Sequence, residues 1–153
     1  MSLEQKINNL ETDLHIMGTL VLDSLVSAVR ALEDKDTLKA SEVMDKDDEI
    51  DDAYMKIDQD WFELMATEQP VASDLRLSTS ILQASLHLER LGDLSVYLGK
   101  TTHEIHDLPI PESLHKIVVE MGDMVIDMAS SALESLKNRD AELALSTARK
   151  DEL

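Results

Sequence analysis

Slid along itself by 104 residues without a gap, the chain matches itself at 11 of the 33 positions from Met17 to Glu49. Met17-Gly18 falls on Met121-Gly122, Val21 on Val125, Asp23 on Asp127 and Ser27-Ala28 on Ser131-Ala132. Leu32 falls on Leu136, Asp36 on Asp140, Ala40 on Ala144 and Lys46-Asp47 on Lys150-Asp151. A repeat of fixed period means one supersecondary unit stacked on a copy of itself. The first unit is complete and the second breaks off partway, so about one and a half units are expected, with a longer natural form.

The helix breakers say what the unit is made of. Gly and Pro number only 4 and 3 in 153 residues, and Leu, Met, Ala and Glu are helix formers. Polar or proline turns at Asp34-Lys35-Asp36, Thr67-Glu68-Gln69-Pro70, Asp107-Leu108-Pro109-Ile110-Pro111 and Asn138-Arg139-Asp140 divide the chain. They predict five helices, over 3–33, 37–66, 71–106, 112–137 and 141–153, with Asp36 and Asp140 as N-caps. Leu3, Ile7, Leu10, Leu14, Met17, Val21, Leu25, Ala28 and Leu32 recur in steps of three and four, an apolar stripe facing other helices. Leu77, Ile81, Ala84, Leu88, Leu91, Ser95 and Leu98 predict a bundle seam on the third helix. The predicted class is all-α, a three-helix-bundle repeat with a truncated second repeat. The units are 1–106 and 107–153.

Charge and composition narrow the function. Lys and Arg number 14 against 32 Asp and Glu, a net charge of −18. That argues against nucleic acid, whose phosphates need Lys and Arg to displace counterions, and against anionic lipid. Absent cysteine excludes disulfides and thiolate metal sites. No apolar run exceeds three residues and the N-terminus lacks a signal peptide's apolar stretch, so no membrane insertion and a cytoplasmic location are expected. The terminal Lys150-Asp151-Glu152-Leu153 spells an ER-retention signal. It aligns with Lys46-Asp47-Asp48-Glu49, so it reads as the start of an interrupted motif.

Carboxylates stand where apolar residues are due. On the second helix Val43, Ile50, Ile57 and Leu64 recur every seven residues, and Asp47, Asp51 and Asp58 border that face. On the third, Glu89 continues the series Leu75, Leu82, Glu89, Val96, and Asp93 continues Thr79, Leu86, Asp93. Gly92 lies between them and lets a helix or ligand come close. Two acids at i and i+4 repel each other, and a divalent ion reverses that sign. The pairs Asp47/Asp51 and Glu89/Asp93 are therefore candidate oxygen ligands for Mg²⁺, Mn²⁺, Ca²⁺ or iron. The plain alternative is neutralisation by Arg76, Arg90 or Lys46, or exposure of the strip.

Three blocks, Asp47-Asp48-Glu49-Ile50-Asp51, Gln69-Pro70-Val71-Ala72-Ser73-Asp74-Leu75-Arg76 and Leu88-Glu89-Arg90-Leu91-Gly92-Asp93, resemble the PhoU family in order and spacing. These are the phosphate-specific transport system accessory proteins. The resemblance covers residues 1–106 fully and the rest as the opening of a second repeat. It implies two tandem three-helix bundles, and E/D-x-x-x-D motifs that hold a divalent metal or an iron cluster (Fe, Zn, Mn or Mg). By position these motifs are Asp47 with Asp51, and Glu89 with Asp93. It also implies a cytoplasmic, commonly homodimeric negative regulator of phosphate uptake and of the phosphate-starvation response. Such regulators contact a sensor histidine kinase and the ATPase of an ABC phosphate transporter. The second repeat's own clusters are in doubt, because the chain stops at Leu153.

Other chemistries are thinly represented. Glu112-Ser113-Leu114-His115 has the E-x-x-H spacing of di-iron bundles but occurs once, at a helix start where Glu112 suits the dipole. His15, His87, His103 and His106 follow no metal spacing, and the 8 methionines read as core filler. With no glycine-rich phosphate loop or triad, an enzyme is not expected. A di-iron oxidase and a plain metal-free scaffold are the alternatives.

Overall fold

The computed structural model describes residues 1–150. Ser2 starts the first helix, α1 (Leu3–Asp34), with a capping box: its hydroxyl accepts from the Gln5 amide while the Gln5 side chain accepts from its own. Lys35 ends α1 in the left-handed conformation at φ 53, and Asp36 caps α2 (Thr37–Asp45) by accepting from the Leu38 and Lys39 amides. Then come α3 (Asp47–Glu68), α4 (Ala72–Ile105), α5 (Glu112–Asn138) and α6 (Ala141–Arg149). The described residues contain no strand, and the fold is all-α.

The α5–α6 turn copies the α1–α2 turn. Arg139 also lies at φ 53, Asp140 accepts from the Leu143 amide, and both turns close with a 2.8 Å bond, Asp36 N–H to Ala31 O and Asp140 N–H to Ser135 O. Both residues predicted as N-caps act as caps. The helix expected over 37–66 is instead two, broken at Lys46.

The core is built around α1, which touches α2, α3, α4 and α5. Leu10, Leu14, Met17 and Val21 of α1 pack with Ile50, Ile57 and Leu64 of α3 and Ile81 and Leu88 of α4. By length and composition alone α1 could cross a membrane, but half of its most apolar window is buried in the bundle, as befits a core helix.

The buried face of α4 differs from the predicted seam. Leu77, Ala84 and Leu91 only flank the core, while Ser78, Ser85, Gly92 and Gly99 alternate with Ile81, Leu88, Ser95 and Thr102 at its centre. The buried hydroxyls donate to their own helix: Ser78 to Asp74 O, Ser95 to Leu91 O and Thr102 to Leu98 O, at 2.9–3.0 Å. Small, internally satisfied side chains let the neighbouring helices come close.

The repeats meet reciprocally. A Cβ on Gly18 would lie 2.8 Å from Leu133 Cδ2, and one on Gly122 would lie 2.9 Å from Val29 Cγ1. Gly18 and Gly122 are equivalent under the 104-residue shift, and so are Val29 and Leu133. Thus α1 and α5 cross about an approximate two-fold axis. Arg30–Asp123 at 2.6 Å and Arg139–Glu11 at 2.9 Å flank this crossing. Such half-exposed pairs add little energy, so packing at the glycines carries it.

Candidate metal centre between α3 and α4

No glycine or proline marks Asp45-Lys46-Asp47-Asp48-Glu49, yet the helix breaks there, with Lys46 at φ −91 and ψ 0. The break has an electrostatic benefit. It places Asp47, Asp48 and Glu49 in the first turn of α3, where free amides and the positive end of the helix dipole favour carboxylates. Asp47 therefore does not occupy the core position that an unbroken helix from Val43 would give it.

Beneath these acids, Ile50 is 2% exposed and seats against α4 at Gly92. A Cβ there would come within 3.1 Å of both Ile50 Cδ1 and Cγ2. The close approach that Gly92 permits is to a helix, and Glu89 and Asp93 stand on either side of it. The four predicted ligands, two from each helix, flank this contact closely enough for the charges of Asp51 and Asp93 to act on Asp47 and Glu89, without converging on one point. Burial pushes the Asp47 carboxyl above the usual carboxylate range, and the charges of Asp51, Asp93 and Asp48 push it further, against a weaker pull from Lys100. Burial likewise raises Glu89, helped by Asp93, Asp51 and Asp47 and opposed by Arg90.

Among the described residues none of the four carboxylates forms an ion pair, and neither do Lys46, Arg76 or Arg90. The site is a cluster of negative charge at the edge of the bundle, opposed by Lys100 and Arg90 at a distance but paired with neither. It lies less deep than the sequence suggests, because Leu75 and Leu86 of the accompanying strip are 41% and 42% exposed. Among the described residues no three Asp, Glu or His side chains converge tightly enough to hold one ion. The donor set fits a hard divalent cation or iron: all oxygen, anionic and drawn from two facing helices.

Sequence reasoning missed Lys100, although it continues the seven-residue series Leu86, Asp93. The E-x-x-H pair is structural: Glu112 lies in the first turn of α5, and His115 Nε2 lies 2.9 Å from the Glu33 carbonyl oxygen. Asp151, the first acid of a second cluster, and the rest of the terminal tetrapeptide beyond Lys150 lie outside the described residues.

Comparison with known proteins agrees with this frame. A PhoU domain model matches residues 14–102. The chain is 32% identical over 146 residues to the phosphate-specific transport system accessory protein PhoU homolog of Pseudomonas putida, covering 95% of this chain and 57% of that one. It is 33% identical to the Pseudomonas aeruginosa homolog, covering 60% of it. The crystal structure of PhoU from P. aeruginosa superposes with a TM-score of 0.95 over 99% of this chain and 72% of that one, at 32% identity. The phosphate transport system regulatory protein PhoU from Streptococcus pneumoniae gives 0.90, over 99% of this chain and 70% of that one, at 28% identity. The chain spans a little over half the length of the Pseudomonas relatives. The repeat, the bundle and these matches agree: the chain belongs to the PhoU family.

Proposed function

We propose that this chain is a cytoplasmic, metal-binding negative regulator of phosphate uptake and of the phosphate-starvation response, and that it is no enzyme. It acts by occupancy. One bundle face contacts a sensor histidine kinase or the ATPase of an ABC phosphate transporter, and a bound ion stiffens that face. The reading is supported by family membership and by one feature of the α3–α4 seam: the negative charges around Asp47 and Glu89, those of Asp51 and Asp93 among them, outweigh the nearby Lys100 and Arg90. These four would hold the ion, which supplies positive charge and ties the first turn of α3 to the middle of α4. Neutralising the cluster removes repulsion that otherwise pushes the helices apart.

The test is a phosphate-responsive reporter in a bacterium lacking its own family member, grown in excess phosphate. The wild-type chain restores repression, while an Asp47→Asn/Glu89→Gln variant expressed at equal level does not. Failure of the wild type to repress, or full repression by the variant, contradicts the proposal.

A further inference from the structure

The repeat preserves more than core and caps. Of its 11 identities, Met17, Val21, Ala28, Leu32 and Ala40 are buried, Gly18 meets α5, Asp36 caps α2 and Asp47 joins the acidic cluster. Three remain, Asp23, Ser27 and Lys46, matched by Asp127, Ser131 and Lys150. All three line one cavity of about 220 Å³ between α1, α2 and the start of α3, at the joint that the break at Lys46 makes. Leu20, Val43 and Ile50 give it an apolar wall. The cavity belongs to the first repeat alone. Asp23 and Ser27 lie on the side of α1 turned away from Gly18 and Val29, where α5 packs.

Opposite charges border this cavity without pairing. Asp23 and Lys46 both line it, yet among the described residues neither joins an ion pair. Glu42, one turn before Lys46, and Glu49 also line it and leave the ammonium unpaired as well. We infer that the cavity binds a small aliphatic amino acid as its dipolar ion. Asp23 takes the ammonium group, Lys46 takes the carboxylate, the Ser27 hydroxyl donates to that carboxylate, and the apolar wall holds the side chain. The volume is below the roughly 300–1,000 Å³ of sites for drug-sized ligands, which excludes a nucleotide. Phosphate would meet three carboxylates, and a bare metal ion would meet Lys46. A dipolar ion alone satisfies both signs. The cavity shares no acid with the cluster of Asp47, Asp51, Glu89 and Asp93, so the inference is independent of the metal reading.

The test is NMR titration of the metal-stripped 153-residue chain with glycine, alanine, valine and leucine. At least one of them should bind saturably and shift the methyl resonances of Val43 and Ile50, leaving those of Leu114 and Leu145 in the second repeat unmoved. Isobutylamine and isobutyrate, each lacking one of the two charges, should bind about tenfold or more weakly. Asp23→Asn and Lys46→Met should each weaken the amino acid by a similar factor, while Asp47→Asn/Glu89→Gln leaves its affinity unchanged. No binding of any of the four, methyl shifts confined to the second repeat, an amine or acid that binds as well as the amino acid, or unaltered affinity in either cavity variant would overturn the inference. So would loss of binding in Asp47→Asn/Glu89→Gln, which would move the ligand to the acidic cluster. Should a cavity variant fail to fold, the methyl shifts and the two single-charge analogues decide on the wild type.

Discussion

Gly92 and Ile50 set the distance between α3 and α4, and a double-mutant cycle measures that contact. Alanine at 92 places a Cβ 3.1 Å from Cδ1 and Cγ2 of Ile50, an overpacking that costs about 1–3 kcal/mol. Alanine is also the better helix former by about 0.8–1 kcal/mol, so Gly92→Ala alone is destabilising by at most about 2 kcal/mol. Ile50→Ala in a site 2% exposed costs about 2–5 kcal/mol by leaving a cavity. Combined, the two changes relieve each other, because the new methyl enters the vacated space. The propensity gain appears in both Gly92→Ala arms and cancels. The double variant should therefore be more stable than the sum of the single changes predicts by about 1–2 kcal/mol, read from urea unfolding of all four proteins. Additivity within about 0.5 kcal/mol would refute the contact, and with it the reason given for the acids of the two helices standing level.

Three further outcomes follow from the same geometry. Gly122→Ala meets Val29, a buried β-branched side chain, whereas Gly18→Ala meets the more adjustable, half-buried Leu133. Thermal unfolding should therefore rank Gly122→Ala as the costlier, by roughly 1 kcal/mol, equivalent to about 2–4 °C. Ala72 opens α4 at φ 49, a left-handed conformation that disfavours any Cβ. Ala72→Gly should stabilise by about 0.5–1 kcal/mol in denaturant titration, and destabilisation would count against that backbone. Asp47 and Glu89 hold protons more tightly folded than unfolded. Their contribution to stability therefore grows as pH falls from neutral through their raised values and levels off at the ordinary carboxylate values. The wild type minus Asp47→Asn/Glu89→Gln difference, followed by chemical denaturation across pH, should show this sign and no other.

Much of this fold is legible in the sequence because its boundaries rest on local chemistry. Prolines, short polar turns and two aspartate caps set helix ends wherever they occur, and the repeat shows that the caps recur. Lys46 is different. Its break uses no special residue and follows from three acids gaining the positive end of a new helix, a trade that periodicity does not display. The face of α4 is misjudged for a related reason. Counting large apolar residues favours Leu77 and Leu91, while close packing selects Ser78, Ser85, Gly92 and Gly99. The acidic cluster is visible because carboxylates interrupt an apolar series. Its depth is not visible, since an apolar residue such as Leu86 can lie at the bundle edge. The paired Met-Gly steps of the repeat are equally visible, but only the α1–α5 crossing explains why glycine stands there.

The most direct measurement is thermal unfolding of metal-stripped wild type and Asp47→Asn/Glu89→Gln during titration with manganese, magnesium, zinc and ferrous iron. Without metal, the variant should melt slightly higher. It relieves two like-charge i,i+4 pairs at a few tenths of a kcal/mol each, about 1–4 °C in all. With a binding metal at 100 times its dissociation constant, the wild type should gain about 2.7 kcal/mol, or roughly 5–10 °C, and the variant nothing. Equal gains in both proteins, or no gain in the wild type with any of the four ions, would contradict a cation clamp between α3 and α4.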